Sequence, residues 1–113
     1  SGMDMKYVLV APILSIPKVL AKDGLTVDDI DLHEINEAFS TSSIAINREL
    51  NIDPLKVNVH GGSVAIGHPI GASGARVLTT LIHAMKDRGA GVGEASLCLG
   101  GGEAVTLVVY NEA

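Results

Sequence analysis

Gly61-Gly62-Ser63-Val64-Ala65-Ile66-Gly67-His68-Pro69-Ile70-Gly71-Ala72-Ser73-Gly74 leads from a short extended piece, Val57-Asn58-Val59, into a helical pattern that runs from Ala72 to Arg88. Five glycines in these fourteen positions let the backbone approach a neighbour or a ligand closely. Pro69 disfavours helical geometry at His68, so the imidazole is expected on an extended or turning backbone, held out just before the helix begins. The helix start near Gly71–Gly74 brings free N–H groups and a positive dipole end, which suit a developing negative charge. Beyond it, Leu78, Leu81, Ile82 and Met85 recur on one face, Lys86 and Arg88 lie near the carboxyl end, and Gly89 is the expected terminator.

The same alternation extends in both directions. Upstream, Ser15 before Ile16-Pro17 predicts a capped helix ending at Gly24, and Thr26 with Asp29 predicts a capping box on a short turn. Asp31 to Ile35 reads as a strand and Ala38 to Leu50 as a helix with Phe39, Ile46 and Leu50 on its apolar face. Downstream, the β-rich runs Ala95–Leu99 and Ala104–Tyr110 flank Gly100-Gly101-Gly102, which predicts a hairpin. Strands alternating with helices imply an α/β fold, layered helices on a mixed sheet with a carboxy-terminal β-hairpin. At 113 residues and 47% hydrophobic, the chain suits one domain. Ser1-Gly2-Met3 looks like an expression scar, which leaves residues 4–113 as that domain.

Composition narrows the partners. A net charge of −5, with Lys and Arg scattered singly, opposes a nucleic-acid surface or a polybasic membrane segment. The longest apolar run, Tyr7 to Leu14, is too short to span a bilayer, and no leader pattern opens the chain, so a soluble protein is expected. One cysteine makes no internal disulfide; Cys98 is a buried small hydrophobe or a functional thiol of a reducing compartment, with the cytoplasm expected and an organelle matrix as the other setting. His33, His60 and His83 stand at no zinc-site spacing, so no metal is expected.

Chemistry gathers at three places. His68 can accept a thiol or hydroxyl proton near neutral pH, or serve an oxyanion; its bland reading is a histidine tied to a carbonyl. Gly62 to Gly67 matches the two-glycine spacing of a phosphate loop, but His68-Pro69 stands where that loop needs Lys and Ser or Thr. Cys98 ends an apolar strand before three glycines whose N–H groups could form an oxyanion hole; a strand cysteine is otherwise inert core. Asn36-Glu37-Ala38-Phe39 lies at a strand-to-helix edge where α/β folds bind ligands, although a cap at Asn36 and a first-turn carboxylate at Glu37 explain it locally.

Taken in order, Asn36-Glu37-Ala38-Phe39, Asn58-Val59-His60-Gly61-Gly62, the run Gly67-His68-Pro69-Ile70-Gly71-Ala72-Ser73-Gly74-Ala75-Arg76, and Cys98-Leu99-Gly100-Gly101-Gly102 resemble the signature blocks of thiolases. The resemblance covers nearly the whole chain after Pro12. It implies a thiolase-like half and an acyltransferase activity, the Claisen condensation or thiolysis of acyl-CoA, by a two-step transfer through an acylated cysteine. It matches His68 to the histidine that activates that cysteine and Cys98 to the second cysteine, which moves the α-carbon proton. Asn36 matches the asparagine that positions a water in one oxyanion hole, and the Gly100 N–H matches a donor in the other. Phe39 falls where the family lines its pantetheine tunnel.

The resemblance also sets limits. Ala104 stands where the family usually has Gly, and Glu103 where an uncharged residue is common. The acylated cysteine belongs to an amino-terminal half, so this chain is expected to be inactive alone, with that half as its partner and self-association through an uncovered apolar face. Coenzyme A thioesters enter as substrates, with no tightly bound cofactor. His60 and Ala11-Pro12 lie closer to the short-chain acetoacetyl-CoA branch. A non-catalytic thiolase-like half serving as a structural or binding partner, and an unrelated glycine-rich anion-binding domain, are the competing expectations.

Overall fold

A computed structural model describes residues 1–112. Three strands form one mixed sheet in the order β1-β2-β3: β1 (Leu32–Ile35) runs parallel to β2 (Val92–Leu99), and β2 pairs antiparallel with β3 (Glu103–Tyr110). The parallel step needs a long crossover. It consists of α2 (Ser40–Glu49), the short α3 (Ser63–Ile66) and α4 (Ser73–Arg88), while α1 (Pro12–Leu20) precedes β1.

Period-two alternation in the strands divides the core into two. Ile35 and Val108 meet Ile16 and Leu20 of α1 and Ile46 of α2 on one face. On the other, Leu32 and Ala95 pack against Val77, Leu81, Ala84 and Met85 of α4. Gly93 permits this close approach, since a β-carbon there would run into the Met85 sulfur and the Leu81 methyls. The layers are thus helix, sheet, helix, as expected of the α/β reading.

Three details differ from the sequence expectations. Helix α1 begins at Pro12, not after Ser15: Pro12 takes the first turn, where a missing N–H costs nothing, and buried Ser15 lies inside the helix with its hydroxyl turned to Thr106, 2.7 Å away. Phe39 lies before α2 in extended geometry and is exposed, so it does not share the buried face of Ile46. In α4 the buried stripe runs through Val77 and Ala84, whereas Ile82 lies at the rim, 36% exposed. Ser1–Met3, set aside above, pair with the start of β3: the Met3 N–H donates to the Gly102 carbonyl at 2.7 Å and the Ala104 N–H to that of Ser1 at 2.8 Å.

Candidate active site

The carboxyl end of β1 is held by Asn58. This residue sits in the left-handed region, φ 48°, which Asn tolerates better than most residues. Its side-chain amide meets both backbone groups of Ile35, accepting from the N–H at 2.8 Å and donating to the carbonyl at 2.9 Å. Ile35 is thereby locked one residue before Asn36, whose own N–H donates to the Ser96 carbonyl of β2 at 2.9 Å. Asn36 is buried, and its Oδ1 accepts from the Ser63 hydroxyl at 2.7 Å and from an Arg76 guanidinium nitrogen at 3.1 Å. A second Arg76 nitrogen donates to the Gly67 carbonyl at 2.6 Å. Arg76 therefore fastens the glycine-rich loop to the end of β1.

His68 is exposed at the tip of that loop. Its Nδ1 lies 2.6 Å from the hydroxyl of Ser73, the first residue of α4, and its Nε2 lies 3.5 Å from Asn36 Nδ2. That second spacing is at the outer limit of a hydrogen bond, so both atoms stay open to a third group. Glu37 turns the other way and accepts from the Val64 N–H at 2.9 Å; a β-carbon on Gly62 would collide with its carboxylate.

Cys98 stands near the end of β2, half-buried, opposite Ala104 in the register. Burial pushes its thiol above the ordinary range, partly offset by a backbone hydrogen bond, so the thiol keeps its proton at pH 7. Exposed Gly100 follows in the hairpin turn, which Gly101 and Gly102 complete with φ of 147° and 92°. The structure thus brings Asn36 and His68 together and sets Cys98 and Gly100 at the same end of the sheet. Exposed Phe39 follows Asn36 by three residues. His60 stands apart, 3.5 Å from Asp87 on α4, and His83 is exposed.

Sequence reasoning assigned no role to Ser63, Ser73, Arg76 or Asn58. The signal for Ser73 was its place at the helix start five residues after His68. Arg76 follows one turn later, back above the loop. Two buried carboxylates were also missed. Glu94 pairs with His33, and Glu34 lies on the opposite face of β1.

Glu34 sets a pH dependence. Burial raises its carboxyl from 4.5 to about 7; Arg76 opposes the shift, while Glu37 and Glu94 add to it. A raised folded pKa means that the native state holds the extra proton between those two values, and its stabilising effect is lost as pH rises through the upper one. Urea unfolding midpoints should therefore fall between about pH 5 and about pH 7.5, and Glu34→Gln should flatten the slope. An unchanged slope in that variant would assign the effect elsewhere.

The fold and this end of the sheet define a layered α/β domain presenting a histidine and a half-buried thiol on one rim. Residues 1–111 match the family model "Thiolase, C-terminal domain". The chain belongs to the thiolase family as that carboxy-terminal domain. It is 53% identical to an acetyl-CoA acetyltransferase of Syntrophomonas wolfei, covering 96% of this chain and 28% of the relative. An acetyl-CoA acetyltransferase of Cupriavidus necator is 49% identical over the same shares. The crystal structure of human mitochondrial 3-ketoacyl-CoA thiolase superimposes with a TM-score of 0.97 at 39% identity, covering 100% of this chain and 29% of that one. The same human enzyme has also been solved in complex with CoA, with the same fit. The chain thus spans little more than a quarter of the length of the curated relatives it matches. No helix among the described residues is long and apolar enough to cross a membrane.

Proposed function

We propose that this chain supplies the carboxy-terminal catalytic part of a thiolase acting on acyl-CoA thioesters. The observation that carries the reading is the pairing of His68 Nε2 with Asn36 Nδ2 at 3.5 Å, beside the strand end that carries Cys98. In thiolysis, a cysteine on an amino-terminal half attacks the 3-keto carbon after His68 takes its proton. The bond between the α-carbon and that carbonyl breaks, Cys98 returns a proton to the α-carbon, and acetyl-CoA leaves. The CoA thiol then gives its proton to the Cys98 thiolate and takes the acyl group from the cysteine, whose released thiolate recovers the proton held on His68. Asn36, through a water, and the Gly100 N–H stabilise the oxyanions, and Phe39 lines the pantetheine path.

Cys98 is the sole cysteine and is engaged as the proton carrier, so the nucleophile comes from the other half. The chain alone is inactive in this reading. Residues 4–113 are the working domain, the amino-terminal half is its partner, and assembled copies form a homo-oligomer. Acyl-CoA and CoA are substrates, and no tightly bound cofactor is required. The test is acetoacetyl-CoA thiolysis by the chain alone and after mixing with a separately expressed amino-terminal thiolase half. Activity in the mixture only is expected. Activity from the chain alone would overturn the assignment of the missing nucleophile, and a complex that forms without turnover would favour a purely structural half.

A further inference from the structure

We propose that Arg76 and Ser73 are positioning residues that together hold His68 in the tautomer carrying its proton on Nδ1. The proposal deepens the function proposed above and rests on it for its catalytic meaning, but its geometry stands alone. Arg76 sets the direction of the series, because a guanidinium can only donate hydrogen bonds. Arg76 and the Ser63 hydroxyl both reach one oxygen of the Asn36 amide, at 3.1 and 2.7 Å, so that oxygen faces them and the amide nitrogen faces His68. An amide nitrogen offers only protons, so the facing Nε2 is the nitrogen without one. In a neutral imidazole the proton must then sit on Nδ1.

Nδ1 points at the Ser73 hydroxyl, 2.6 Å away, which accepts from it and donates its own single proton to the Pro69 carbonyl at 3.0 Å. Each link in the series runs from donor to acceptor: Arg76 to Asn36, Asn36 toward His68, His68 to Ser73, Ser73 to Pro69. The reverse tautomer would set an N–H of His68 against the N–H of Asn36 and leave two donors facing each other. Free imidazole in water favours the Nε2–H form, so the opposite form needs such an anchor. Ser73 is suited to this, being only 1% exposed and fixed as the first residue of α4. The consequence is that the lone pair which accepts a proton from a nucleophile points outward from the loop before any substrate arrives.

The test is the tautomer itself, read from 15N chemical shifts of histidine-labelled chain, with His68→Gln identifying the resonance. The wild-type chain should show His68 with Nδ1 protonated. Ser73→Ala should shift it to a mixture or to the Nε2–H form, Ser73→Thr should restore it, and Arg76→Gln should also weaken the preference. In a full-length thiolase carrying these residues, Ser73→Ala should lower kcat by on the order of 10- to 100-fold, as loss of an orienting partner does elsewhere, with KM little changed. A wild-type His68 protonated on Nε2, or a Ser73→Ala tautomer identical to wild type, would overturn the proposal. If Ser73→Ala does not fold, the wild-type spectrum and Ser73→Thr still decide it. Because the spectrum needs no substrate, it can support the tautomer even where the thiolysis assay fails, and the reverse.

Discussion

Glu94→Leu should lower the unfolding free energy by roughly 3 to 5 kcal/mol, and adding His33→Val should recover most of that loss. Strands β1 and β2 set His33 and Glu94 opposite each other, and both side chains are excluded from water. His33 Nδ1 lies 3.0 Å from one Glu94 oxygen, and the Ser96 hydroxyl donates to the other. Thr106 lies 2.7 Å from Ser96 and Ser15 2.7 Å from Thr106, so the hydroxyl protons run in one direction, Ser15 to Thr106 to Ser96 to Glu94. The carboxylate is the sink of the whole series. Removing it alone strands an imidazole and a serine in a dry layer, whereas removing both partners in favour of apolar side chains leaves little unsatisfied. His33 Nε2 already lacks a partner among the described residues, which further limits what the pair contributes over an apolar replacement. Urea unfolding of the two single variants and the double variant measures the coupling. Additive losses would mean that the two side chains act independently.

The second large effect concerns the roles proposed for His68 and Cys98. In an assembled enzyme, His68→Ala and Cys98→Ala should each cost on the order of 10³-fold or more in thiolysis, and the double variant should be little worse than either. Groups that serve the same carbon–carbon cleavage step fail together, because each is useful only while the other is in place. The raised Cys98 thiol also carries a sign. Its proton-donating form is present below its pKa and is lost as pH rises through it, so the basic limb of the rate profile should belong to Cys98. Rate measurements across pH on Cys98→Ala check this: a basic limb that survives unaltered would assign it to another group. Multiplicative losses in the double variant would indicate two separate functions.

The sequence revealed some parts of this molecule because single elements carry their own signals. Helix α4 was legible from its 3.6-residue spacing and from Gly89, which adopts the left-handed geometry, φ 65°, that ends a helix. The capping box at Thr26 was legible for the same local reason, and Asp29 does bond back to the Thr26 N–H at 2.7 Å. Ser15 misled because a hydroxyl before a proline is a cap locally, and only the packing of α1 on β3 shows it a partner 91 residues away. The His33–Glu94 pair spans 61 residues and depends on strand register, which no window of sequence expresses. At the candidate site, His68, Cys98 and Asn36 were picked out by residue type and setting. Ser63, Ser73 and Arg76 were not, since what they contribute is the direction of hydrogen bonds to groups up to 40 residues away.

The amide of Asn58 also governs how copies of this chain can stack. A sheet edge grows when another strand finds a free row of N–H and C=O groups. Along β1 that row is already occupied: Asn58 takes both groups of Ile35, and its own N–H takes the His33 carbonyl at 2.9 Å. At the opposite edge, Ser1–Met3 cover the start of β3. Among the described residues no strand pairs with the outer edge of β3 from Val105 to Tyr110, where Val105 and Leu107 are about half exposed. Among the described residues, the outer edge of β3 is therefore the row left open to an added strand, and Leu107→Lys would set a charge against it away from the end of the sheet that carries His68.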